Sequence, residues 1–137
     1  MTAKQYLAQI RDCNMRIKSI GWQIESLEGV LEYQSPIYSD MPKSPTRNIH
    51  RLQDLIAAKA DLEQEIKDLN SKLAAVFTTI RDMPDPVHSA ILSGRYILGK
   101  EWHEICQEIN VSEGRIYQIH RDALAEIEKT VANYSSL

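Results

Sequence analysis

Glycine and phenylalanine are scarce in this chain, five and one among 137 residues. An all-β protein needs frequent turn glycines and strand-forming aromatics, so the shortage excludes that class and leaves an all-α reading. There are two cysteines, Cys13 and Cys106, far apart and each embedded at an apolar helical position. Two lone cysteines make neither a zinc-ligand set nor a disulfide framework, and both read as reduced, buried thiols. No run approaches the roughly 18 apolar residues of a membrane span, and Met1-Thr2-Ala3-Lys4-Gln5-Tyr6 lacks the apolar core of a secretory signal. The expectation is a protein that stays in the cytoplasm where it is made. A basic surplus is missing too, because the formal net charge is -3.

Apolar period is plentiful. Ala3, Tyr6, Ile10, Cys13, Ile17, Ile20, Ile24, Leu27 and Leu31 alternate by three and four residues, an a/d heptad seam. Leu52, Leu55, Lys59, Leu62, Ile66, Leu69, Leu73, Val76 and Ile80 repeat it, with Lys59 the one polar member. A loop is expected at about 34–48, where Pro36, Pro42 and Pro45 fall, so residues 1–83 read as a long antiparallel coiled-coil helical hairpin. A lone hairpin has a thin core, which points to oligomerisation as a dimeric four-helix bundle. Ala8, Met15 and Trp22, seven apart on the outward face of the first helix, read either as a second contact stripe or as ordinary surface.

Asp82-Met83-Pro84-Asp85-Pro86 stops one helix and starts another, setting a boundary at 83/84. Residues 84–137 then read as a three-helix head. Its first helix runs from Val87 to Leu98 with Gly99 as its C-cap. Trp102, Ile105 and Ile109, then Val111, then Ile116, Ile119 and Leu124 describe two helices across a tight turn, with Ser112 as N-cap of the second. The last helix continues through Ile127 and Val131, and the tail from Asn133 frays. Two helices so joined are the unit that puts a row of side chains into the DNA major groove. Ser112, Glu113, Gly114, Arg115, Tyr117, Gln118 and Arg121 face outward and are the candidate DNA-binding residues. The head carries five Lys or Arg against eight Asp or Glu, so it is itself acidic.

Val111 to Leu124 resembles the recognition helix of region 4 of bacterial primary sigma factors through Val111, Arg115, Ile116, Gln118, Ile119, Ala123 and Leu124. Ile91-Leu92-Ser93-Gly94-Arg95-Tyr96 and Trp102-His103-Glu104-Ile105 are similar to the earlier helices of that module. A coiled-coil hairpin before such a head is similar to short phage and prophage proteins of Gram-positive bacteria, the ArpU-like and RinA-like regulators of late phage genes. The resemblance implies double-stranded DNA as partner, read in the major groove within a bacterial host cell, with Arg115 on guanine, Gln118 on adenine, and Tyr117 on phosphate or a thymine methyl. Sigma modules usually carry a basic residue at the position of Glu113 and a carboxylate at that of Gly114, so sequence preference does not transfer. Glu113 reads either as a cytosine contact or as a favourable charge at the helix N-terminus.

Trp102 reads as a core plug between head helices, and His103 and His120 as surface or cap residues without a metal. No glycine-rich phosphate loop, paired His-Glu motif or activated cysteine is present, so neither catalysis nor a cofactor is expected. The leading expectation is a dimeric sequence-specific transcriptional regulator. The alternatives are a factor that binds RNA polymerase or a sigma factor, and a small terminase-like DNA-packaging subunit.

Overall fold

The computed structural model describes residues 1–38 and 45–135, apart from the side chains at 33–48 and beyond 133. Five α-helices and one π segment follow in order: α1 (Ala3–Tyr38), α2 (Pro45–Arg81), α3 (Pro86–Leu92), the π segment (Ser93–Ile97), α4 (Trp102–Ile109) and α5 (Glu113–Ser135). No strand occurs among the described residues, so the fold is all-α.

α1 opens with a reciprocal cap. The Gln5 amide donates to Thr2 Oγ1 at 3.2 Å and the Thr2 amide to Gln5 Oε1 at 2.9 Å, satisfying two donors that a helix start leaves orphaned. The two long helices hold 36 and 37 residues, so each is on the order of 55 Å long at about 1.5 Å per residue. Both outrun their heptad seams. The expected loop at about 34–48 is therefore shorter: α1 continues through Pro36 to Tyr38, and α2 begins at Pro45. Proline is well placed at a first helical position, where its missing N–H would have had no partner. What remains of that loop, 39–44, lies outside the described residues.

The chain divides into two compact units, Met1–Cys13 with Lys72–Leu137, and Asn14–Ser71. Both ends of the long-helix segment thus belong to the unit that holds the later helices. In the first unit Ala3, Leu7, Ile10 and Cys13 are buried, as are Leu73, Val76, Ile80, Met83, Ile91, Leu92, Ile105, Cys106, Ile116, Ala123, Ile127 and Val131. The Tyr6 hydroxyl donates to Thr79 Oγ1 at 2.9 Å, and Thr79 Oγ1 donates to the Ala75 carbonyl at 2.9 Å, so the buried threonine is fully used. Tyr6→Phe is expected to cost about 1 kcal/mol, the net worth of one such bond, readable as a small drop in urea midpoint at unchanged slope.

In the second unit the seams are covered less well. Ile20 is its one buried apolar residue among those described, and Ile17, Ile24, Leu27, Leu31, Leu52, Leu55, Leu62, Ile66 and Leu69 are half-buried. Lys59, the polar seam member, places Nζ 3.4 Å from Glu28 and 3.6 Å from Glu63. Flexible and partly wet, these pairs contribute little energy and fix the place of a charge in the seam.

Asp85 caps α3, its carboxylate accepting the Val87 amide at 2.9 Å, and Pro86 takes the first turn. The helix expected from Val87 to Leu98 does not stay α-helical. It widens into the π segment at Ser93, where Gly94 comes so close to α4 that a Cβ there would lie 3.3 Å from two Ile105 side-chain atoms. Gly99 ends the segment at φ +68, a conformation glycine adopts without steric cost. α5 runs to Ser135, past the residue where fraying was expected.

Candidate nucleic-acid interface

α4 and α5 are joined by Asn110, Val111 and Ser112. Asn110 turns the chain in the left-handed conformation at φ 58, ψ 46, and its amide and that of Val111 return to the Cys106 carbonyl. Asparagine tolerates this region better than most non-glycine residues. Ser112 stands just before α5, and its carbonyl accepts the amides of Arg115 and Ile116, both at 3.1 Å.

One face of this pair is buried. Ile91, Ile105, Cys106 and Ile116 form a cluster against which Trp102, Ile109, Val111 and Ile119 pack. Every apolar position of the expected two-helix pattern up to Ile119 thus lies in that cluster or against it. Cys106 is a free, buried thiol, as is Cys13.

The opposite face of the first turns of α5 is open. Ser112, Glu113, Gly114, Arg115, Tyr117, Gln118 and Arg121 are all exposed. The Arg115 side chain makes no hydrogen bond or ion pair among the described residues, which leaves its guanidinium free for an external acceptor. Gln118 is already engaged: Arg121 Nη2 donates to its Oε1 at 2.9 Å, and its Nε2 donates to Asp122 Oδ1 at 3.1 Å. Nothing lies within 4 Å of a Cβ built on Gly114, so the helix backbone there is bare to any approaching surface. A cleft of about 250 Å³ beside this row is lined by Glu101, Trp102, His103, Glu113, Ile116 and Tyr117.

Behind the row lies an aromatic and cationic cluster that sequence spacing did not reveal. The half-buried Trp102 ring meets His120 at 4.7 Å and Tyr117 at 5.7 Å, both edge-on, and the Arg95 guanidinium lies 4.9 Å from its centre. Arg95 also donates to the Lys100 carbonyl at 2.9 Å. Tyr96 stacks on His120, its hydroxyl 2.9 Å from His120 Nε2. Trp102 is therefore a packing residue, as expected, and His120 is a half-buried member of the same cluster.

Burial pushes the Tyr96 hydroxyl up, with Arg95 opposing. Burial holds the His120 imidazole below its ordinary range, and the positive charges of Lys4 and Arg95 add to the effect. A histidine with a lowered folded-state pKa makes the unfolded chain the better proton binder on the acid side. Its contribution to stability is unaffected well above about pH 6.5 and is lost as the pH falls from there through the lowered folded value. His120→Gln is expected to flatten this part of the stability profile between pH 7 and 5, measured as urea midpoints of variant and parent. Equal slopes for the two would refute the assignment.

His88 is a second histidine the sequence pattern left unmarked. Its Nδ1 makes a short contact with Glu126 Oε2, and its Nε2 lies 3.5 Å from Asp85 Oδ2, tying the start of α3 to the middle of α5. Lys100 reaches both carboxylate oxygens of Glu108, at 2.7 and 2.6 Å. Among the described residues, no group of three or more His, Cys, Asp and Glu is placed to hold a metal ion, and no helix is long and apolar enough to cross a membrane.

The model of one protein family, described as a protein of unknown function (DUF1492), matches residues 49–128. The chain belongs to that family. The DUF1492 match takes in most of α2 and all of α3, the π segment and α4, and it reaches into α5 past every exposed residue of the row. Comparison with curated proteins returned no match, and comparison with solved structures returned none.

Proposed function

We propose that this DUF1492 protein is a phage- or prophage-type transcriptional regulator that reads duplex DNA in the major groove with α5. α4 and α5 act as a helix-turn-helix similar to sigma region 4, and α1 and α2 form a long helical hairpin that pairs two copies. The observation that carries this reading is the row Ser112, Glu113, Gly114, Arg115, Tyr117, Gln118 and Arg121. It is wholly exposed, while the other side of the same helix is locked in the core by Ile116, Ala123 and Ile127. The donors Ser112, Arg115, Tyr117, Gln118 and Arg121 on a helix held rigidly from behind are what base-edge recognition requires. Arg115 supplies the guanine donor, and Gln118 turns from Arg121 and Asp122 to an adenine edge.

The acidic balance of 84–137 weakens any single head, since phosphate neutralisation dominates affinity and needs cations. Two heads joined in one dimer recover that loss through effective concentration. The test is fluorescence anisotropy of the intact protein on labelled duplexes tiling its own genomic neighbourhood, at low and at physiological salt. Binding to a discrete tile, lost as salt rises, is the expected result, and uniform absence of binding at low salt overturns the reading.

The carboxylates of Glu101 and Glu113 at the α4–α5 cleft favour a second reading, a factor that docks on a basic surface of RNA polymerase or a sigma factor. Co-purification with polymerase without DNA would favour that reading over the first.

A further inference from the structure

α1 carries a second apolar stripe that its own chain leaves uncovered. Met15 is 61% and Trp22 65% exposed, Ala8 is exposed, and the three recur every seven residues. They stand on the side of the helix opposite the seam of Ile10, Cys13, Ile17, Ile20 and Ile24, which is buried or half-buried. Single exposed apolar residues are ordinary, but a heptad-spaced line with a tryptophan on one helix has the spacing of a helix contact.

We infer that this stripe is covered by the same stripe of a second copy, the two α1 helices running parallel about a two-fold axis. The partner is a second copy because the flanking charges complement themselves. On either side of the stripe, at the same level, stand Arg11 and Asp12, Lys18 and Ser19, and Glu25 and Ser26, all exposed and none in an ion pair among the described residues. In a parallel pair the two flanks at each level face each other across the axis. Arg11 then meets Asp12 of the partner subunit, symmetry makes this pair twice, and no like charges meet. An antiparallel pair instead brings each flank against its own kind. Arg11 then faces Lys18 of the partner subunit twice, offsetting the attraction of Lys4 for Glu25 of the partner subunit. The parallel order also places Met15 on Met15 and Trp22 on Trp22, so the largest apolar groups lie on the axis, where burial is deepest.

The unit 14–71 also has reason to pair. It has one buried apolar side chain among those described, and a helical unit so thin gains cover from a second copy. The inference rests on the proposed dimer and specifies its face and direction.

It is tested without DNA, on the full chain, so that its failure leaves the reading of α5 standing and the failure of DNA binding leaves it standing. Met15→Cys and Trp22→Cys are each expected to cross-link into disulfide dimers under mild oxidation, while the parent, whose Cys13 and Cys106 are buried, does not. In sedimentation equilibrium Trp22→Asp is expected to weaken the dimer by roughly thirtyfold or more, the effect of losing an interface anchor. Asp12→Arg weakens it as well, and Arg11→Asp combined with Asp12→Arg restores it. Circular dichroism should be unchanged in all of them, because every altered residue is exposed. A monomer at high concentration overturns the proposal. So does cross-linking through Met15→Cys but not Trp22→Cys, which marks an antiparallel pair, and so does a dimer indifferent to Trp22→Asp that cross-links instead through Ile56→Cys, at an exposed apolar residue of α2.

Discussion

Ile116→Asp is expected to unfold the packing around α5. Ile116 has no exposed surface, and its cluster neighbours Ile91, Ile105 and Cys106 offer a carboxylate no donor stronger than a thiol. An unpaired buried charge, added to the lost apolar contacts, costs more than about 4 kcal/mol, against a total stability of about 5–15 kcal/mol for an ordinary domain. Thermal unfolding followed by circular dichroism should show a Tm lower by well over ten degrees, or no cooperative transition. Ile116→Val is the control, since it removes one methylene and costs about 0.5–1.5 kcal/mol. A parent-like Tm for the aspartate variant would mean that α5 is not anchored at this residue.

Arg115→Ala acts in the opposite way, sparing the fold and removing the proposed function. The side chain is exposed and unpaired among the described residues, so its loss should leave the Tm within about a degree, a surface change worth less than about 0.5 kcal/mol. A bidentate arginine–guanine contact contributes about 1–3 kcal/mol of discrimination, so affinity for the preferred duplex should fall by about ten- to hundredfold. Affinity for unrelated duplex should fall much less, because only one phosphate-range charge is lost. Equal loss on both duplexes would show that Arg115 serves phosphate and reads no base. Gln118→Ala tests its neighbour differently, since it also releases Arg121 from its hydrogen bond and frees a cation for the backbone.

Helical period alone located the seam positions of α1 and α2 and the buried face of α4 and α5, because a 3.6-residue repeat reports directly which side of a helix is covered. It could not report features made by packing at a distance. Leu7 lies off the first seam yet is 1% exposed, because residues 1–13 pack as one unit with 72–137. The π segment has no local mark in the sequence, and its sense emerges only where Gly94 meets Ile105. Thr2 and Gln5, by contrast, had the spacing of a capping box and could have been read.

At the candidate interface the outward row followed from the period, while the internal engagement of Gln118 and the links among Arg95, Tyr96, Trp102 and His120 did not. Those contacts join residues from different helices, and spacing carries no information about them. Within the stretch at 34–48, α2 begins at Pro45 because proline is tolerated at the first turn of a helix, and 39–44 lie outside the described residues.

The unit that carries α5 is assembled from two pieces of chain separated by residues 14–71, and this bears on how the protein is made. On the ribosome the first thirteen residues emerge early and their partners from Leu73 onward only much later, so Ala3, Leu7 and Ile10 must wait. Closing so wide a loop costs entropy before any contact rewards it, which slows this unit relative to an unbroken segment of equal size. During the delay an exposed amphipathic strip is available to chaperones or to another nascent copy. A fragment beginning at residue 84 would never receive that strip at all.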